Sequence, residues 1–243
     1  AQELGYSGFR ELSREIKRYV RDRVTASYRK VGEADATEEV LRGLIDNANQ
    51  GMEHFVTTDL ASVVEAVEIL RDANHIWCAG EFTGYDIASF LAHNFTVYGV
   101  PATAFEPSMA GTSTALSQME EGDVLLTFAG NDPSIDAGYA VQLAKEIGLR
   151  TITITGSGVV LSARHADISI IVPYKSPAGV PSFGPLMQVA NLIWEGVMTP
   201  RQEAVKEKIT GVHKTMKRLL ELRAETPEYE VAAPQNIWRE NVD

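Results

Sequence analysis

Cysteine occurs once in 243 residues, at Cys78. One thiol closes no internal disulfide and builds no multi-cysteine metal site. Its setting, IWCAG, is apolar and strand-like, which reads as a core thiol in a reducing, cytoplasmic protein. No apolar run reaches about 18 residues, so no membrane span is expected. The start of the chain is polar and charged from Glu3 onward and does not read as a signal peptide. His54, His75, His93, His165 and His213 are scattered without metal-ligand spacing, and no metal or other cofactor is expected. No GxSxG elbow and no P-loop occur, which removes the commonest serine-hydrolase and nucleotide-hydrolase readings.

What is present is an ordinary globular composition, 44% hydrophobic and 23% charged, with a net charge of −11. The charge is uneven. Residues 1–30 hold eight Arg/Lys against four acids, and the remainder holds 14 basic and 29 acidic residues. The main body therefore repels nucleic acid, while the basic arm tolerates it or simply forms a solvated helix face.

From residue 75 apolar runs alternate with helical patterns. Strands are predicted over 75–79, 102–105, 124–128, 151–155 and 168–172. Helices are predicted over 85–98, 112–119, 134–147 and 159–164. This alternation predicts an α/β fold: a five-stranded parallel sheet flanked by helices, a flavodoxin-like three-layer sandwich. Two amphipathic helices precede it, over 38–54 and 59–73. In the first, Val40, Leu41, Leu44, Ile45 and Ala48 are expected to face inward. In the second, Leu60, Val63, Val64, Val67 and Leu70 are. After the sheet come a Pro/Gly-rich loop, an apolar helix over 186–198 and a helix over 201–223. Val205, Ile209, Val212, Met216 and Leu219 form a seam of period 3.5 in that last helix, suited to pairing with another helix or to packing on the chain's own body.

Function is expected where strands end. The stretch DVLLTFAGNDPSID reads as strand, tight polar turn and helix start. Asp132 followed by Pro133 suits a helix N-terminus. GEFTG at 80–84 and GSG at 156–158 likewise separate strand from helix. Open α/β sheets place ligands at that edge. The candidate ligand-binding residues are Gly80, Glu81, Thr83, Gly84, Asn131, Asp132, Ser134, Thr155, Ser157 and Ser182. Glu81, Asp86, Asp132 and Asp136 form an acid/base pair only if two of them meet across the site, and Asp132 is explained as a helix cap without catalysis.

Residues 76–172 resemble the sugar isomerase (SIS) domain. LGYSGFRELSREI resembles the point in MurR/RpiR-type bacterial transcription regulators just after the recognition helix of a helix-turn-helix. The resemblance implies three segments: a remnant of the DNA-binding domain with its linker helix at 1–35, a SIS-like effector domain at 36–200, and an oligomerising helix and tail at 201–243. It implies a homodimer or homotetramer that contacts DNA through the N-terminal domain and takes a sugar-derivative effector. An aldose–ketose isomerase and a ligand-free dimerisation scaffold are the alternatives. The family's GxGxS and SxSGxT loops are rewritten here. Phe82 stands at the second glycine of the first, and AGNDPS replaces the serines of the second. With Asp132 on the helix start and Glu81 across the loop, the expected ligand is neutral or cationic and no phosphate is needed.

Overall fold

The structure is a computed structural model that describes residues 38–130, 135–172 and 184–225. The N-terminal remnant and arm, the C-terminal tail, Asn131, Asp132, Ser134 and Ser182 lie outside the described residues. The chain divides into two compact units between Pro200 and Arg201.

In the first unit the apolar runs form five parallel strands: β1 (Ile76–Gly80), β2 (Ala102–Phe105), β3 (Val124–Ala129), β4 (Arg150–Thr155) and β5 (Ile168–Ile171). Their order in the sheet is β2-β1-β3-β4-β5. β1, β3 and nearly all of β4 are buried along their length, as a sheet covered on both faces requires. The covering helices are α1 (Glu38–Thr58), α2 (Leu60–Asp72), α3 (Thr83–Val97), α4 (Met109–Leu116), α5 (Ile135–Glu146), α6 (Leu161–His165) and α7 (Gly184–Met198).

Side-chain alternation divides the core. Trp77, Ala79 and Leu125 pack with Ala140, Val141 and Ala144 of α5 and Ala115 of α4. α2 and α3 each pack against α7 in the other layer. There the Arg71 guanidinium donates two hydrogen bonds, of 3.0 and 2.6 Å, to the Gly196 carbonyl, tying α2 to α7.

Two expectations need correction. α4 begins three residues earlier than the periodicity indicates, because the Ser108 hydroxyl caps it by accepting from the Gly111 N–H at 3.0 Å. Leu41, Ile45, Leu60 and Val64 do not face inward: they are 54, 60, 41 and 51% exposed. These helices carry apolar residues on two flanks, and among their described side chains the body of the domain buries Phe55, Val63, Val67 and Leu70, while those of Val40, Leu44 and Ala48 lie outside the described residues. The second unit contains α8 (Gln202–Glu225), which follows a 3-10 turn over Thr199–Arg201. Within α8, the seam residues Ile209, Val212, Met216 and Leu219 are exposed.

Candidate functional site

Strand order reverses between β1 and β3. The chain leaves β1 for one edge of the sheet through β2, and leaves β3 for the other through β4. In open α/β sheets the ligand crevice lies outside the carboxyl ends of the strands at such a switch point. The loop after β1 and the start of α5 form its two walls.

The wall after β1 is a tight turn. The Gly84 N–H donates to the Glu81 carbonyl at 2.9 Å, and the Tyr85 N–H donates to the Phe82 carbonyl at 2.9 Å. Phe82 has φ 51° and ψ −126°, the conformation glycine normally supplies at the first central position of a type II′ turn. It is the sole non-glycine residue with positive φ among the described residues. Its ring is 82% exposed, so packing does not compensate the strain. Gly80 and Gly84 are set by close approach. A Cβ on Gly80 would lie 2.3 Å from the Gly84 backbone, and one on Gly84 would lie 2.4 Å from the Phe128 carbonyl oxygen. Thr83 opens α3 and is half-buried.

Glu81 reaches across the crevice. Its Oε2 accepts from the backbone N–H of Ala137, the third residue of α5, at 3.0 Å. That N–H is one of the amides a helix start leaves without an intrahelical acceptor. The sequence assigns the capping role at this helix to Asp132, which lies outside the described residues. The contact from Glu81 joins positions 56 apart and escapes any local reading.

The loop after β4 is tied to the loop after β3 by Thr155. Its buried hydroxyl lies 3.3 Å from the Gly130 carbonyl and 3.4 Å from that of Ser157, and accepts from the Ser157 N–H at 3.2 Å. The Ser157 hydroxyl in turn accepts from the Val159 N–H at 3.5 Å. Gly80, Glu81, Thr83, Gly84, Thr155 and Ser157 thus all belong to loops, strand ends or the first turn of α3 at this one edge, with the hydroxyls of Thr155 and Ser157 engaged in holding the β4 loop.

Other chemistry is muted. Cys78 is buried in β1 and burial pushes its thiol up, so it stays protonated. Among the described residues no three His, Cys, Asp or Glu side chains gather as metal ligands would. No described helix is long and apolar enough to cross a membrane.

Residues 69–188 match the SIS domain family. The HTH-type transcriptional regulator RpiR of Escherichia coli is 29% identical over 180 residues, which are 70% of this chain and 57% of that protein. A phosphoheptose isomerase from an Enterobacter species is 33% identical over 105 residues, 43% of each chain. The match therefore spans about half the length of these curated relatives. Among solved structures, the sugar isomerase domain of an RpiR transcription factor from Sphaerobacter thermophilus has a TM-score of 0.66 at 23% identity, over 72% of this chain and 97% of that one. The all-parallel sheet in the order β2-β1-β3-β4-β5 is accordingly a SIS fold, and residues 69–188 are a SIS domain, with RpiR-type transcriptional regulators among the chain's relatives.

Proposed function

We propose that this chain is the effector-sensing part of an RpiR-type transcription regulator. A sugar derivative binds in the crevice between the β1 loop and the start of α5, and its occupancy changes DNA binding by a helix-turn-helix domain in the same protein. The observation that carries this reading is the convergence of Glu81 and the first turn of α5 at the switch point, beside β3 and β4 loops joined by Thr155. Gly80, Glu81, Thr83, Gly84, Asn131, Asp132, Ser134, Thr155, Ser157 and Ser182 are the residues proposed to line it. Segment 201–243 is proposed to join subunits into a dimer or tetramer, through the exposed seam of α8.

A ligand that favours one packing of subunits shifts the balance between packings, and so the spacing of DNA-binding heads. A thermal-shift screen of this chain over sugars, polyols, amino sugars and their phosphates tests the reading. A true effector at about 100 times its Kd stabilises by about 2.7 kcal/mol. For a chain of this size that raises Tm by roughly 5–10 °C. No shift with any sugar derivative overturns it.

The similarity to a phosphoheptose isomerase supports a second reading, an aldose–ketose isomerase. Such an enzyme needs a carboxylate base poised over a substrate carbon. Glu81, the attractive candidate, instead gives Oε2 to the Ala137 N–H. Turnover of a sugar phosphate would favour the enzyme.

A further inference from the structure

None of the 24 residues of α8 is buried, yet a helix gains most of its stability by covering an apolar face. Its exposed seam, Ile209, Val212, Met216 and Leu219, steps by three and four residues. Val205 and Arg223 continue the same steps by one at either end. A narrow seam of this period fits a matching seam on one neighbouring helix. The residues that end the seam and flank it decide how a second α8 would lie against it.

In a parallel pair every seam residue faces its own counterpart. Arg223 then meets Arg223 inside the seam, and Lys208 of one helix lies beside His213 of the other. The flanking positions hold Lys206, Lys208, His213, Thr215, Leu220 and Leu222, so no acidic residue stands there to offset these cations. The two helix dipoles also run side by side in the same sense.

In an antiparallel pair the seam closes on itself about a two-fold axis at Lys214. Ile209 faces Leu219, Val212 faces Met216, and Val205 faces Arg223. Each β-branched residue thus meets a longer, more flexible one. Lys206 comes beside Leu220 and Lys208 beside Leu222, both exposed leucines. Lysine stems can cover those leucines while the ammonium groups stay in water. The dipoles now oppose one another.

We infer that α8 pairs with α8 of a second copy in the antiparallel sense, in the register that sets Ile209 against Leu219. The inference rests on the reading of segment 201–243 as the joining segment. It also sets a spacing. The two Gln202 residues, where the paired helices begin, lie about 36 Å apart along the axis at the helical rise of 1.5 Å per residue. A parallel pair would hold them roughly 8–10 Å apart.

Disulfide trapping in the full chain decides the orientation. Cys78 is buried in β1 and stays out of the reaction. Ile209→Cys and Leu219→Cys are prepared separately and co-expressed, oxidised mildly and read on non-reducing gels. Both positions are exposed, and circular dichroism checks that each variant is folded. Alone, neither variant is expected to cross-link, because like thiols lie about 15 Å apart along the axis, beyond disulfide reach. Together they are expected to give roughly tenfold more cross-linked dimer than either alone. Self-cross-linking of either variant overturns the inference in favour of a parallel pair. A chain that sediments as a dimer but gives no mixed cross-link also overturns it, and assigns the dimer to another face. A chain that sediments as a monomer removes the joining role of α8 itself, and the inference falls with it.

Discussion

Gly84 of α3 lies directly against the carbonyl oxygen of Phe128 in β3: a methyl group added to the glycine would sit 2.4 Å from that oxygen. In a free helix, Gly→Ala adds about 1 kcal/mol of stability. Here the contact reverses the sign, since neither α3 nor the middle of a buried sheet yields easily. Gly84→Ala is expected to destabilise the domain by about 1–3 kcal/mol. Urea unfolding measures it.

The opposite outcome is expected at Gly211 in α8, where an added Cβ meets nothing within 4 Å. Gly211→Ala should stabilise that helix by about 0.5–1 kcal/mol. Slower amide exchange along α8 is the readout, and unchanged or faster exchange would contradict it.

Phe82→Gly is expected to make the β1 loop more stable, by about 1 kcal/mol, because φ 51° costs glycine little and the exposed ring contributes little packing. Phe82→Ala keeps the unfavourable backbone and should give no such gain. Tm measurements on the two variants separate backbone strain from side-chain loss.

Thr155→Val removes the hydroxyl that joins the β3 and β4 loops while keeping the branched shape in the strand. Its loss leaves the Ser157 N–H without its acceptor and is expected to cost about 1–2 kcal/mol. Hydrogen exchange at Ser157 should quicken more than exchange in the body of β4. Uniform quickening would point to loss of packing instead.

Asp167 accepts from the Thr151 N–H at 2.8 Å and its hydroxyl at 2.9 Å, and pairs with Lys145 at 3.0 Å. Burial pushes its carboxyl up, but the hydrogen bonds from Lys145 and Thr151 and the Lys145 charge outweigh it and hold the group below its ordinary value. A carboxyl lowered by folding stabilises the fold above its unfolded pKa, and that contribution is lost as pH falls through its folded value. The Tm gap between the unaltered chain and Asp167→Asn is therefore expected to be largest near neutral pH and to narrow as the solution is acidified through the carboxylate range. A gap that widens in acid would refute the assignment.

Much of the fold was legible because buried parallel strands announce themselves. Each strand boundary falls within a residue or so of its apolar run, as Val124–Ala129 shows against the expected 124–128. The inward faces of α1 and α2 were less legible. Period alone does not say which of two apolar flanks the body covers, so Leu41 and Ile45 read as inward although both are exposed. The start of α4 was hidden because Ser108 acts through its side chain on the Gly111 amide, and hydropathy does not register a cap. In the crevice the loops were legible from Gly, Ser and Thr after apolar runs. The partnership of Glu81 with Ala137 was not, since it depends on which strands become neighbours. Nor does a phenylalanine at position 82 disclose that its backbone will adopt a glycine-like angle.

The reversal of strand order between β1 and β3 has a mechanical meaning. Right-handed crossovers running to opposite edges place α3 and α5 on opposite faces of the sheet. Among the described residues, the turn that leads into α3 touches the first turn of α5 where Glu81 accepts from the Ala137 N–H. Whatever lodges there pushes on both outer layers at once, with the rigid strands as the fulcrum. A molecule a few ångströms across, bound as proposed, would thereby gain leverage on two helices of opposite layers.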